Sequence, residues 1–177
     1  MRTIEIKAYR FEELDEATQQ KVIQDNICIN VNYDWWDCTY ETFKECGIQI
    51  NSFDTGRGRE CEIEFLEDEL TVATKIIDTF GEFMSVRVTS ENFIKERDTL
   101  VKKYGEGNET DGYSVKEELY DEFDEEEEYL IHEFESELGA DILQWLIDEY
   151  EYLTSEEAII ETIDANEYEF TKEGKLI

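Results

Sequence analysis

From Glu117 to Thr171 the sequence runs for 55 residues without one lysine or arginine, while carrying 22 aspartates and glutamates. Carboxylates one helical turn apart repel by a few tenths of a kcal/mol per pair, so such a tract needs an apolar spine to stay compact. The spine is present. Leu119, Phe123, Leu130, Phe134, Leu138, Ile142, Trp145, Leu146 and Leu153 recur close to multiples of 3.6 residues, the period of a helix packed along one side. The spacing predicts one long acidic helix, or two in tandem broken near Gly139. The chain has no proline, so no ring removes a backbone donor from a helix of this length.

The other 122 residues hold 26 acids and all sixteen bases, and the whole chain carries a formal charge of −32. A conventional nucleic-acid binder needs a basic footprint on phosphate, which this composition excludes. It also disfavours electrostatic attachment to anionic membranes. Apolar residues make up 40% of the chain and aromatics 13%, enough for a packed core and too many for uniform disorder. No run of eighteen apolar residues occurs, and Met1-Arg2-Thr3-Ile4-Glu5 has no signal-peptide apolar segment, so a soluble protein of the cytoplasm of whatever cell makes it is expected.

Ahead of the tract, two periods alternate. Thr3 to Tyr9 reads as a half-buried strand, and Phe11 to Asn26 as a helix with Leu14, Ala17, Val22 and Ile23 on one face. Tyr33 to Cys46 reads as a second helix carrying Trp35 and Trp36. Ile48 to Phe53 and Cys61 to Phe65 alternate on either side of Asp54-Thr55-Gly56-Arg57-Gly58-Arg59, the pattern of an antiparallel hairpin. Asp68 to Phe80 and a segment beginning at Ser90 are further amphipathic helices. Thr154 with Glu157 forms a capping box for a short helix from Ser155 to Ala165, and Tyr168 to Ile177 suggests a closing hairpin. An α+β fold follows: a small antiparallel sheet of N-terminal strand, central hairpin and C-terminal hairpin, packed with several helices including the long acidic one. The organisation expected is an α+β core over 1–104, a glycine-rich loop over 105–112 and an acidic helical region over 113–177, together one compact domain.

Catalytic and metal constellations are not visible. Cys28, Cys38, Cys46 and Cys61 include no C-x-x-C pair, so free, mostly buried thiols are expected rather than a zinc site. The lone histidine, His132, sits among acids on the long helix and reads as solvent-facing. Gly56-Arg57-Gly58 lacks the strand-then-helix context of a nucleotide fingerprint. No calcium loop has the required glycine and glutamate spacing, and the ten lysines argue against a halophilic composition. No cofactor, metal or catalytic residue is expected, and the chain reads as a non-enzyme.

Charge density points elsewhere. Glu117, Glu118, Asp121, Glu122, Asp124, Glu125, Glu126, Glu127, Glu128, Glu133, Glu135 and Glu137 place twelve carboxylates in 21 residues. As a helix this spans roughly 31 Å, one charge per ~2.6 Å, between the ~1.7 Å of duplex DNA and the ~3.4 Å of one strand. A second candidate surface is Asp34-Trp35-Trp36-Asp37, where Trp35 or Trp36 could anchor a protein partner.

Three stretches together carry a likeness: Ile4 to Leu14, Asp34-Trp35-Trp36-Asp37 running to Phe53-Asp54, and Tyr150 to Ala158. In these the sequence resembles small acidic proteins encoded by bacteriophages and prophages, most without an assigned activity. The resemblance implies a phage gene acting inside a bacterium, in the company of DNA mimics with anti-restriction or anti-CRISPR roles. The expected function is therefore an inhibitory binding protein. Its acidic surface would block a positively charged DNA- or RNA-binding groove of a host defence nuclease, without itself binding nucleic acid or membrane. The alternative is an inhibitor or adaptor that uses an apolar surface and is acidic for solubility.

Overall fold

The computed structural model describes residues 7–106, 114–115 and 119–177. The fold is α+β: among the described residues six α-helices accompany a two-stranded antiparallel hairpin and a two-residue ladder. In chain order the elements are α1 (Glu16–Asp25), α2 (Asp37–Glu45), β1 (Ile48–Asp54), β2 (Glu60–Phe65), α3 (Glu69–Thr79), α4 (Ser85–Tyr104), β3 (Gly105–Glu106), β4 (Ser114–Val115), α5 (Tyr120–Leu153) and α6 (Glu156–Ala165). Contacts divide the chain into two compact units, Asp37–Leu146 and the pair of segments Met1–Trp36 and Ile147–Ile177.

In the first of these units, β1 and β2 pair from Ile48↔Phe65 to Asp54↔Glu60, with the register shifting between Ile50 and Ser52. The Asp54 carboxylate accepts from the amides of Gly56 (2.7 Å) and Gly58 (3.0 Å), a side chain standing in for a backbone turn partner. Ile48 and Ile50 are buried together with Phe43, Val72, Ile76, Val86, Phe93, Phe134, Leu138 and Ile142. Phe134 of α5 lies flat on Phe93 of α4, with centroids 4.2 Å apart and planes 11° apart, and leans on Phe65 of β2 at 5.5 Å. One ring thus joins the long helix to both neighbours.

α5 is a single 34-residue helix, the first of the two arrangements the spacing allows, with no break near Gly139. The glycine has a packing reason. A Cβ there would stand 3.1 Å from the Cys61 carbonyl oxygen, so the missing side chain lets helix and hairpin backbone approach closely. α4 begins at Ser85, not at Ser90. Ser90 is buried, and its hydroxyl donates to the Val86 carbonyl one turn back at 2.8 Å, a bond that satisfies a serine inside a helix. Arg87 then closes the preceding helix by donating to the carbonyls of Ile77 and Phe80 at 2.7 and 2.9 Å. α2 starts only at Asp37, and in the turn before it the Trp35 amide donates to Tyr33 O at 2.7 Å.

In the second unit, Phe11, Leu14, Val22, Ile23, Ile159, Ile163 and Phe170 form one buried cluster. Residues Phe11–Glu13 make a 3₁₀ turn, and α1 follows separately after Asp15. Tyr9 and Phe170 exchange backbone bonds of 2.9 and 2.8 Å, and Phe170 also bridges Leu176. The expected terminal strand and closing hairpin are therefore represented by single bridges, apart from the β1–β2 ladder; residues 3–6 of that strand lie outside the described residues. Ser155, not Thr154, caps α6, accepting from Ala158 N at 3.3 Å. The Thr154 hydroxyl is spent on the Tyr150 carbonyl at 2.8 Å.

Asp15 and Asp68 cap α1 and α3 by accepting from the amides and hydroxyls of Thr18 and Thr71. For Asp15 the amide bond, and for Asp68 the hydroxyl bond, contributes most to holding the carboxyl below its usual range. A depressed folded-state value means the caps stabilise above the unfolded value and are lost as pH falls through the folded one. Wild-type stability is therefore expected to fall on acidification from about pH 5 to about pH 2 more steeply than in an Asp15→Asn, Asp68→Asn variant. Parallel urea titrations with equal pH slopes would contradict this.

Candidate functional site on the acidic helix

Residues on an α-helix turn by about 100° each, which sorts the carboxylates of α5. With Phe134 as the core direction, Phe123, Leu130 and Leu138 lie within about 40° of it, and Phe123 and Leu138 are buried like Phe134 itself. Glu122, Glu126, Glu133 and Glu137 project along the flank that borders α4. Asp121, Asp124, Glu128 and Glu135 project along the other flank, and Glu125 points away from the core. Asp121 and Glu122 stand in the first turn, where the positive end of the helix dipole offsets part of their repulsion.

Two of the expected array are neutralised inside the fold. Lys103 Nζ donates to both oxygens of Glu126 at 2.7 and 2.8 Å, and the Tyr104 hydroxyl adds a bond of 2.8 Å. The Lys103 bond, then the Tyr104 bond, holds the Glu126 carboxyl below its usual range, and Lys103 is raised in turn by the same contact. Arg97 donates Nε to Glu127 at 2.8 Å and stands at the same distance through its terminal nitrogen. Glu127 falls within about 20° of the core direction, so its partner relieves a charge that faces inward.

Asp121, Glu122, Asp124, Glu125, Glu128, Glu133, Glu135 and Glu137 form no ion pair among the described residues. All are exposed except half-buried Glu135. Glu117 and Glu118 lie outside the described residues. Eight charges over Asp121 to Glu137, roughly 25 Å of axis, give one per roughly 3 Å, close to the ~3.4 Å of a single DNA strand. The base-free tract is not free of bases in space, yet eight of the ten described carboxylates of the expected array form no ion pair among the described residues.

Arg97, Lys103 and Tyr104 were not among the expected site residues, although the chain carries one signal for such a partner. Glu127 is four residues after Phe123 and seven before Phe134, inside the apolar stripe, a position that calls for a counter-ion. His132 is exposed, as expected. It shares a cleft of about 640 Å³ with Cys61, Arg59 and Glu135, but burial pushes the Cys61 thiol up to about 11, which leaves no thiolate for nucleophilic chemistry at neutral pH. Cys46 is buried, whereas Cys28 and Cys38 are exposed, contrary to the expectation of mostly buried thiols. No group of His, Cys, Asp and Glu among the described residues is disposed to hold a metal ion.

Trp35 and Trp36 precede α2, so helical geometry does not set their directions. Trp35 is buried, edge-on to Trp36 at 5.6 Å and tilted against Tyr150 at 5.7 Å, and Trp36 is half-buried.

Site and fold together define an α+β protein whose longest helix, among the described residues, is strongly acidic. No protein-family model, curated protein or solved structure matches the chain. Among the described residues no helix is long and apolar enough to cross a membrane.

Proposed function

We propose that this chain is a phage-type inhibitory binding protein whose acidic helix occupies a positively charged DNA- or RNA-binding groove of a bacterial defence nuclease, a CRISPR effector or a restriction enzyme. The observation that carries this reading is the set of eight unpaired carboxylates on α5, whose number per ångström of helix axis is close to that of the phosphates of one strand. Their helix is fixed by Phe134 against α4 and β2. A braced array loses little conformational freedom on binding, which favours affinity. Its field also attracts a cationic cleft before contact, raising the association rate at low salt.

The mechanism is competition: lysines and arginines that hold phosphate meet carboxylates instead, and the polynucleotide is displaced. The test titrates the protein into complexes of labelled DNA with bacterial defence nucleases at two salt concentrations. Asp124→Gln, Glu125→Gln and Glu128→Gln are combined, sparing Glu126 and Glu127 because their charges serve the fold. Three exposed charge contacts at about 0.5–1 kcal/mol each predict at least a tenfold loss of displacement, with a shallower salt dependence. Undiminished displacement by the folded triple variant would sink the proposal.

A further inference from the structure

Along the seam between α4 and α5 runs a groove of about 590 Å³. Leu100, Leu130 and the ring of Tyr129 give it an apolar patch, and Glu96, Glu125 and Glu133 supply acidic walls. Tyr129 is 69% exposed, an unusual placement for a large ring without a role in packing. Lys103 also lines the groove, but Glu126 holds its charge in a two-oxygen grip. A second recess of about 130 Å³ continues the seam past Glu96 and Glu133 to Asn92 and Glu137. From Glu126 to Glu137 the seam extends about 16 Å, three helical turns.

Resting on the reading of this chain as an inhibitor, we propose that this seam receives a basic helical segment of the target, bearing one bulky apolar side chain that seats between Leu100, Tyr129 and Leu130. Charge complementarity selects the occupant. An anionic or neutral helix would meet unpaired glutamates on both walls, whereas Lys and Arg at helical spacing meet Glu96, Glu133 and Glu137 in turn. The exposed Tyr129 ring face covers the apolar anchor. Helices that lie against nucleic acid carry such a basic face, so the seam converts general attraction into a specific seat.

The probe is a fourteen-residue helical peptide with Lys and Arg along one face and a central Leu, compared with the same peptide carrying Ser for Leu. Both are titrated into the full chain by fluorescence anisotropy at moderate salt. The Leu peptide is expected to bind at least tenfold more tightly. Tyr129→Ala, a change at an exposed position, is expected to remove most of that difference while leaving the Ser peptide unaffected. Glu96→Gln with Glu133→Gln should weaken both peptides. Equal binding of the two peptides, or a preference for Leu that survives Tyr129→Ala, overturns the seam as a docking site. DNA displacement by the same preparation reports separately on the inhibitory reading, so a charge-only inhibitor would pass that assay and fail this one.

Discussion

Replacing Phe134 with alanine is expected to lower the unfolding free energy by about 3–5 kcal/mol, the usual cost of deleting a buried aromatic ring. The ring is 2% exposed and contacts aromatic rings on two other elements, stacking on Phe93 and leaning on Phe65. Its loss removes transfer energy and the aromatic contacts, and leaves a cavity that three separately anchored elements cannot close together. Phe134→Leu, which keeps most of the volume, should cost less than half as much. Urea unfolding with an unchanged m-value would measure both. A loss below about 1 kcal/mol for the alanine variant would mean that α5 is not held by this contact.

The same contact bears on the proposed function. The carboxylates of α5 repel one another, and the helix survives because its apolar stripe is gripped. Loosening the grip with Phe134→Leu should therefore blur the charge array before the protein unfolds. The long helix and its stripe were legible because both are periodic along the chain. So was the hairpin, where Ile48 and Ile50 alternate opposite Ile63 and Phe65 around a turn with two glycines. What the sequence concealed depends on contacts between distant segments. Gly139 looks like a break until the Cys61 carbonyl is placed beside it. Thr154 and Ser155 are equally good caps on paper, and the choice falls to Ser155 only because Thr154 bonds back to α5.

The candidate site divides in the same way. Outward carboxylates follow from the helix and stripe alone, so Asp124, Glu125 and Glu128 were identifiable. Glu126 and Glu127 belong to the same acidic run, but their charges are answered by Lys103 and Arg97, more than twenty residues earlier. Sequence distance hides such a partner, although the placement of Glu127 in the apolar stripe required one. The seam with Tyr129 was equally hidden, since a groove exists only once two helices are packed.

Asn30→Asp is expected to destabilise the protein by about 3–5 kcal/mol at pH 7, the range for an uncompensated buried charge, and by more than Asn30→Ala. Asn30 is 6% exposed. Its amide nitrogen donates to the carbonyls of Leu153 at 3.0 Å and Ala158 at 3.2 Å, and its oxygen accepts from the Thr162 hydroxyl at 2.7 Å. One side chain thereby secures the turn after α1 to the junction of α5 and α6. Alanine leaves these partners unsatisfied, at about 2–3 kcal/mol. Aspartate preserves the shape but sets an anionic oxygen against two carbonyl oxygens, so the ordering of the two variants separates polarity from packing. Burial raises a carboxyl above its unfolded value of about 3.9. The penalty is then full above the folded-state value and shrinks as pH falls through it, because the protonated group can donate to one carbonyl again. Unfolding at about pH 7 and about pH 5 should therefore show the aspartate variant recovering relative to wild type while the alanine variant does not. An aspartate variant as stable as the alanine variant at neutral pH would show that the junction is held by packing alone.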